Sequence, residues 1–421
     1  MSAVRGSAPA RGRRGGMLAA QLTGAAITLA MGVLGFGLLG GPVPNFGLTG
    51  HHVATGDVPN RTPDPIVPFQ PAAVQVPQVA GTILVVKSGR IWSVSGADEL
   101  TPLGAGQTEQ SPIWSADGKT IYFLDIHSKK ADVPCSMVAA SGCSQADATY
   151  TLEYPVLSRM PATGGPARAV ASGLYSWGSG AYSYFWGLWQ PALSPDGRTF
   201  ALISDAPNPF ALDYAVELMP AAGGALKRLP LPEDYGLGQN DPTWSPDGRT
   251  LAFTYNHREG TLGRPRIGLY DVKSGAVRFL TDYGYAQPAY SPDGSWVAAV
   301  RTSTKGRDIV ILDAHTGAEI LRVTDDGHSY APVWSPAGDQ IAFLHVSGLS
   351  IDLWVATLSG SGRSVSVTRT DPLTSQSALD GASRPAWFIP PTDLPPRGSP
   401  SAGPATSPGP SSGSPSASAG P

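Results

Sequence analysis

Residues 242–248 read Pro-Thr-Trp-Ser-Pro-Asp-Gly, and the same phrase returns along the chain. Close copies occupy residues 112–118, 191–197, 288–294 and 332–338, and a truncated copy, Pro-Ala-Trp-Phe, occupies residues 385–388. The first prolines of successive copies lie 44 to 79 residues apart. A repeat at such a spacing is typical of propellers, solenoids and arrays, so it predicts a fold built from repeated units.

Each copy has the composition of a tight turn between two strands. In Ser-Pro-Asp-Gly, the serine, proline and glycine stand at the first, second and fourth positions of a type I turn. An apolar or alternating run follows, such as LAFTY at 251–255 and IAFLH at 341–345. A second turn signal comes later in each unit, for example Gly223-Gly224. The unit is therefore predicted to hold four short strands, A to D, which make one propeller blade.

The two ends of the repeat region predict how the ring closes. Residues 82–103 contain candidate strands B, C and D without a strand A, and residues 384–388 supply a strand A with nothing after it. The C-terminal strand is expected to complete the first blade, which gives an all-β, six-bladed propeller without an open edge. A sandwich or two smaller β domains are the alternatives.

The repeated Trp-Ser-Pro-Asp-Gly phrase resembles that of the TolB-like propeller family over residues 82–389. Ala116 and Ala337 depart from the phrase and are expected to weaken their turns. TolB itself carries an extra N-terminal α/β domain, whereas here an apolar segment and a linker stand in that place. The resemblance implies an interaction scaffold that is not an enzyme, and it does not name the ligand.

The N-terminal segment predicts a membrane anchor. Residues 1–16 carry four arginines and are expected in the cytoplasm, because positive charge stays on that side. Residues 17–40 are apolar and, as a helix, would span ~36 Å, enough to cross a bilayer. This predicts a single-pass protein whose propeller is extracytoplasmic; a cleaved signal peptide, Sec or twin-Arg, is the alternative.

Two further segments lack the pattern of a packed domain. Residues 41–81 form a proline-rich linker, and residues 390–421 form a Pro/Ser/Gly-rich tail that is expected to be disordered. The chain of 421 residues has 51 Gly and 41 Pro, which argues against a helical bundle. Its net charge of −3 argues against nucleic-acid binding.

Aromatic and acidic residues concentrate in the loops that join strand D of one blade to strand A of the next. Because rings beside carboxylates suit peptides, sugars and cationic groups, these loops predict a face that binds a protein, a peptide or an envelope glycan. The alternative for residues 171–190 is a plug packed on a neighbouring blade. The candidate residues are Tyr175, Trp177, Tyr182, Tyr184, Trp186, Trp189, Tyr235, Asp241, Tyr283, Tyr285, Asp325, Asp326, His328 and Tyr330.

The remaining motifs argue against catalysis. Cys135 and Cys143 are the only cysteines, and in an exported chain they are expected to form a disulfide. Residues 82–389 contain no nucleophile elbow, phosphate loop, dinucleotide fingerprint or paired-histidine metal motif, so no catalytic residue, metal or cofactor is predicted. An α/β-hydrolase domain is also not expected after residue 389. A secreted lyase or hydrolase acting on a polysaccharide remains the alternative function.

Overall fold

The computed structural model describes residues 78–134, 148–180, 182–209, 212–231, 236–257 and 264–395. Within these ranges the strands form six sheets arranged as propeller blades, which confirms the predicted all-β, six-bladed class. The predicted membrane segment, the disulfide cysteines and Tyr235 lie outside the described residues. No helix in the described part of the chain is long and apolar enough to cross a membrane.

The first blade closes the ring, as the truncated copy of the phrase at residues 385–388 predicted. It pairs the C-terminal strand β26 with β1, in the register Thr82↔Phe388, Ile83↔Trp387 and Leu84↔Ala386. Because β1 follows the linker and β26 ends the repeat region, this pairing joins the two ends of the propeller. The strands of the blade are β1 (Thr82–Lys87), β2 (Arg90–Val94), β3 (Leu100–Pro102) and β26 (Ala386–Phe388).

Blades three to six are regular four-stranded antiparallel sheets. Blade three has β10 (Trp189–Leu193), β11 (Thr199–Ser204), β12 (Ala215–Pro220) and β13 (Lys227–Arg228); blade four has β14 (Gly236–Trp244), β15 (Thr250–His257), β16 (Pro265–Asp271) and β17 (Val277–Phe279). Blade five has β18 (Tyr285–Tyr290), β19 (Trp296–Ser303), β20 (Gly306–Asp313) and β21 (Glu319–Arg322); blade six has β22 (Ser329–Trp334), β23 (Gln340–Ser347), β24 (Ser350–Ser359) and β25 (Ser366–Pro372).

Blade two is enlarged. Its strands B and C run for 14 residues each, and a hairpin from the following loop adds two more strands to the sheet. The connection between these two strands, residues 135–147, lies outside the described residues. The strands are β4 (Gln110–Trp114), β5 (Thr120–Val133), β6 (Ala148–Pro161), β7 (Arg168–Ser172), β8 (Leu174–Trp177) and β9 (Tyr182–Phe185). Short 3₁₀ turns lie at Gly178–Gly180, Gly362–Ser364 and Pro391–Asp393.

The repeated turn is held by its own side chains. In four copies the serine Oγ donates to the aspartate Oδ1 at 2.6–2.7 Å, and that carboxylate accepts a backbone N–H two residues on. In the fifth copy, where Ala337 replaces the aspartate, Ser335 Oγ donates instead to Asp339 at 2.8 Å. The turn keeps its Gly338 N–H to Ser335 carbonyl bond at 2.9 Å. These aspartates therefore stabilise the turns.

The repeated tryptophan joins neighbouring blades. The Nε1 of Trp114, Trp244 and Trp334 donates to a backbone carbonyl in strand A of the preceding blade, at 3.0–3.1 Å. Buried strands B and C pack between blades; in β23, for example, Ile341 to Leu344 are at most 1% exposed. The phrase thus encodes both the turn within a blade and a link between blades.

We call the end of the ring with the Ser-Asp turns the turn face and the opposite end, where the D–A and B–C loops lie, the loop face. Each strand A begins at the loop face, since the D–A loop leads into it.

Candidate functional site

A bulge at the start of strand A points to the propeller axis. In five blades, the residue just before the strand-A proline has a left-handed backbone with φ between +48° and +55°. The register of strand A shifts at the same place in blades two to six. A positive φ is uncommon outside glycine, and bulges re-aim side chains, so this recurring outlier marks a candidate site. The five residues are Ser111, Gln190, Asp241, Gln287 and Ala331.

These positions surround a pocket on the axis. Together with Arg384, which takes the same pre-proline position in blade one, they line a central cavity with ≈ 90 Å³ open to water-sized molecules. Gly381 and Ala382, from the loop that leads into β26, also line it. Because the lining residues sit where strands A begin, the cavity belongs to the loop face.

We call the five bulge residues and Arg384 the axial ring. Side chains of the axial ring and of Thr254 form hydrogen bonds with the backbone at the bulges. Gln190 Oε1 accepts the Asp241 N–H at 2.8 Å, and Gln287 Oε1 accepts the Ala331 N–H at 2.8 Å. Thr254 Oγ1 accepts the Gln287 N–H at 2.8 Å and donates to Asp241 Oδ2 at 3.0 Å. The glutamines therefore satisfy backbone donors that the bulges would otherwise leave unpaired.

An acid and a base meet across this cavity. Arg384 Nη1 donates to the Pro288 carbonyl at 2.9 Å, while Nη2 lies 4.0 Å from Asp241 Oδ1 and has no hydrogen-bond partner. Burial raises the pKa of Asp241, and Arg384 and Thr254 oppose that shift. Burial likewise lowers the pKa of Arg384, against the effect of Asp241. The pair is poorly solvated and loosely joined, so it is available to a third group.

The aromatic loop folds into the β8–β9 hairpin, with Tyr175 opposite Tyr184 and Trp177 opposite Tyr182. Four aromatic rings stack one on the next, with successive ring centroids 4.5, 5.6 and 5.8 Å apart, in the order Trp186, Tyr175, Trp177 and Tyr182. All four rings are half-buried, and burial raises the pKa of Tyr175 to about 12. This stack is partly accessible at the surface.

Other rings of the same segment are structural. Tyr184 is 5% exposed and packs with Val133 and Leu152 on the extended strands of blade two. Trp189 lies in β10 and packs between the cores of neighbouring blades. The segment thus combines the predicted plug with a partly exposed stack.

The remaining candidates fall into two places. Tyr283 and Tyr285 line an open cleft between blades four and five. Asp326 and His328 lie at the surface of blade six, where Asp326 Oδ2 is 3.6 Å from His345 Nδ1, whose pKa burial lowers. Asp325 pairs with Arg322 at 3.3 Å, and Tyr330 is buried beneath Arg307. In the described residues, no group of three or more His, Cys, Asp or Glu side chains is placed to hold a metal ion.

The sequence reading missed most of the axial ring. It included Asp241 but not Ser111, Gln190, Gln287 or Arg384. The signal was available: the position before the strand-A proline is polar in five of six copies, although it lies just outside the repeated phrase. A bulge at that position, which only the paired strands reveal, turns these residues to the axis.

A family model of a propeller domain agrees with this fold. The family model of the TolB beta propeller domain matches residues 182–378, and the resemblance to TolB-like six-bladed propellers is confirmed. TolB from Acinetobacter baumannii is a similar solved structure, with a TM-score of 0.49 and 20% identity, over 73% of this chain and 66% of that one.

Two curated relatives carry peptidase names. An uncharacterized peptidase, YuxL, of Bacillus subtilis is 31% identical over 28% of this chain and 22% of its own length. Dipeptidyl-peptidase 5 of Porphyromonas gingivalis is 27% identical over 29% of this chain and 20% of its own length. The matches thus span about a fifth of each relative.

These relatives overturn one expectation from the sequence. The prediction that the chain is not an enzyme is wrong, because the proteins it resembles are named as peptidases. That prediction relied on the lack of catalytic motifs in residues 82–389, and the matches cover about a fifth of each relative.

Proposed function

We propose that the propeller recognises a peptide or protein segment at its loop face, as the substrate-recognition part of a peptidase-related activity. The observation that carries this proposal is the axial ring, in which strained backbone at five positions, four of them with polar side chains, surrounds one cavity. Strain of this kind costs about 1–3 kcal/mol per residue, and it is typical of ligand-binding sites.

The chemistry of the ring suits a peptide. A peptide group has one acceptor and one donor, and the cavity offers a cation with an unfilled hydrogen bond beside a carboxylate. A carbonyl or carboxylate of the ligand would complete the hydrogen bonding of Arg384, and an N–H or amine would meet Asp241. Charge-assisted bonds of this kind are about twice as strong as neutral ones.

The aromatic stack supplies an apolar partner on the same side. The chain passes from Trp186 at the end of the hairpin to Gln190 in the axial ring within five residues. An extended ligand that enters the cavity could therefore lay a side chain along the half-buried rings. Large rigid rings bind such side chains at low cost in conformational entropy.

Selection from a random peptide library on the full-length chain tests the proposal. Arg384→Gln is expected to lower the affinity for the selected peptides at least tenfold, because a hydrogen bond to a charged group is lost. Trp177→Ala is expected to lower the affinity for peptides with an apolar side chain several-fold. The matched control is Arg249→Gln, whose side chain is 83% exposed on the turn face.

Fluorescence anisotropy measures the affinities, and mass spectrometry of the incubated peptides measures whether binding leads to cleavage. Equal affinities of the wild type, Arg384→Gln and Trp177→Ala would contradict the proposal. A parallel array of envelope glycans shows whether sugars compete for the same face.

We further propose that residues 17–40 anchor the chain, with residues 1–16 in the cytoplasm and the propeller outside. The support is the apolar run behind four arginines. Alkaline extraction and protease accessibility of intact cells test it; a soluble, protected propeller would contradict it.

Mass spectrometry without reduction tests the disulfide between Cys135 and Cys143, and two free thiols in exported protein would exclude it.

A further inference from the structure

The cleft between blades four and five holds an arginine without an anion. It is an open depression of ≈ 650 Å³, lined by the connection from β17 to β18, the end of β19 and the β20–β21 turn. Arg266 from β16 lies on its wall, and its guanidinium Cζ is 3.2 Å from the centroid of the Phe279 ring. Tyr283 and Tyr255 lie around the same group, with centroids at 4.9 and 5.5 Å. Aromatic rings thus position this cation.

Ring faces do not replace a counter-ion. In the described part of the chain, Arg266 Nε is buried without a hydrogen-bond partner, and no ion pair joins this side chain to a carboxylate. The half-buried guanidinium thus has one N–H withdrawn from water, which is costly without a partner, although stacking on rings offsets part of that cost.

The other charges of the cleft are already accounted for. Arg301 Nη1 lies 3.2 Å from Glu319 Oε2, and Tyr285 donates to the same carboxylate at 3.3 Å. Asp282 lies at the exposed rim, where water solvates it. Arg266 is therefore the cation of the cleft that lacks compensation.

We propose that this cleft is a second binding site, for a small anion that carries a carboxylate or a phosphate. The planar guanidinium, fixed against Phe279, would meet two oxygens of the ligand side by side, which is the geometry in which arginine binds both groups best. Thr281 and Thr302, which also line the cleft, offer hydroxyl groups to the same ligand. The site is independent of the axial cavity, and either proposal can fail alone.

Calorimetric titration of the full-length chain with sodium phosphate and with sodium succinate tests the site, with sodium chloride at equal ionic strength as reference. Phosphate, succinate or both are expected to bind, and which one does identifies the chemistry. Arg266→Met keeps the aliphatic stem on Phe279 and should weaken binding at least tenfold. Arg266→Lys keeps the charge but cannot donate to two oxygens side by side, so it should weaken anion binding several-fold.

Thermal unfolding separates this role from a structural one. Without ligand, Arg266→Met should melt at the wild-type temperature or above it, because an uncompensated charge is removed; a purely structural cation would make it melt lower. Arg249→Gln is the matched control and should bind like the wild type. The proposal is overturned if neither anion binds better than chloride, or if Arg266→Met and Arg266→Lys both keep wild-type affinity. If Arg266→Met does not fold, Arg266→Lys alone decides.

Discussion

The pKa values of carboxylates shift in opposite directions on the two faces of the propeller. On the turn face, hydrogen bonds from Ser115, Ser194 and Ser245 lower the pKa values of the aspartates two residues on. Toward the loop face, burial raises the pKa values of Asp205, Glu217 and Asp241. The turn carboxylates are solvated and satisfied, whereas the others are desolvated and incompletely paired.

This difference shows where the repeat serves folding and where it departs to serve binding. A satisfied, exposed carboxylate that recurs in four of the six blades stabilises a turn, and its hydrogen bonds leave little capacity to bind a ligand. Desolvated groups are costly to the fold and cluster at functional sites, because charge binds most strongly where water is excluded. The contrast can be tested with substitutions on each face.

Arg384→Met should have the largest effect on stability. It leaves the buried Asp241 without its cation, and breaking a buried pair typically costs about 3–5 kcal/mol. The loss should shrink in acid, where Asp241 takes up a proton and becomes neutral. Urea denaturation at pH 7 and pH 4 measures both parts. Arg249→Met on the turn face should cost under about 0.5 kcal/mol, and equal losses in the two variants would remove the contrast.

Glu217→Gln should change how stability depends on pH. Burial raises the pKa of this carboxyl from 4.5 to about 7, with Arg228 opposing the shift, and the side chain is 1% exposed. Because the folded pKa lies above the unfolded one, this contribution to stability is complete below pH 4.5. It is lost as the pH rises through 7, by roughly 3 kcal/mol.

The glutamine variant should lose that part of the pH dependence and be more stable than the wild type at pH 8. Denaturation curves between pH 4.5 and 8 provide the measurement. A wild-type curve that is flat over this range would show that Glu217 is not held neutral by the fold.

Ser291→Ala should have a moderate effect on the turn face. The hydroxyl accepts the Trp296 N–H at 2.9 Å and donates to Asp293 at 2.6 Å, and the residue is 2% exposed. Leaving a buried donor unpaired costs about 1–3 kcal/mol, so a loss near 1–2 kcal/mol is expected in urea denaturation. Peptide and anion binding should be unchanged, and weaker binding would show that the two faces are coupled.

Asp247→Asn should have the smallest effect. The amide keeps an acceptor for Ser245 and for the Arg249 N–H, and the position is exposed, so less than about 0.5 kcal/mol is expected at pH 7. Because the folded pKa is lowered, the wild-type carboxylate loses its contribution only as the pH falls below 3.8. The wild type should therefore weaken relative to the variant in strong acid, and equal acid sensitivity would count against this role of the turn.

Local patterns carried most of the fold. The Ser-Pro-Asp-Gly turn needs only neighbouring residues, and a four-strand unit repeated around a ring leaves few other topologies. The missing strand A in residues 82–103 and the unmatched phrase at 384–388 even predicted the closing pair. The aromatic face was predicted as a set of residues, although the structure divides it among a stack, a core, a cleft and a surface patch.

The sequence by itself thus determined the blades, their number and the closure, because turn formation and strand alternation are encoded within a few residues of each other. Only the tertiary structure decided which polar groups meet. Arg384 faces Asp241 across 143 positions of sequence because two strands A start at one axis. Arg266 lies on Phe279 because neighbouring strands of one blade align them. Desolvation depends on what surrounds a group in space, so the chemistry of these sites appears only when the ring is closed.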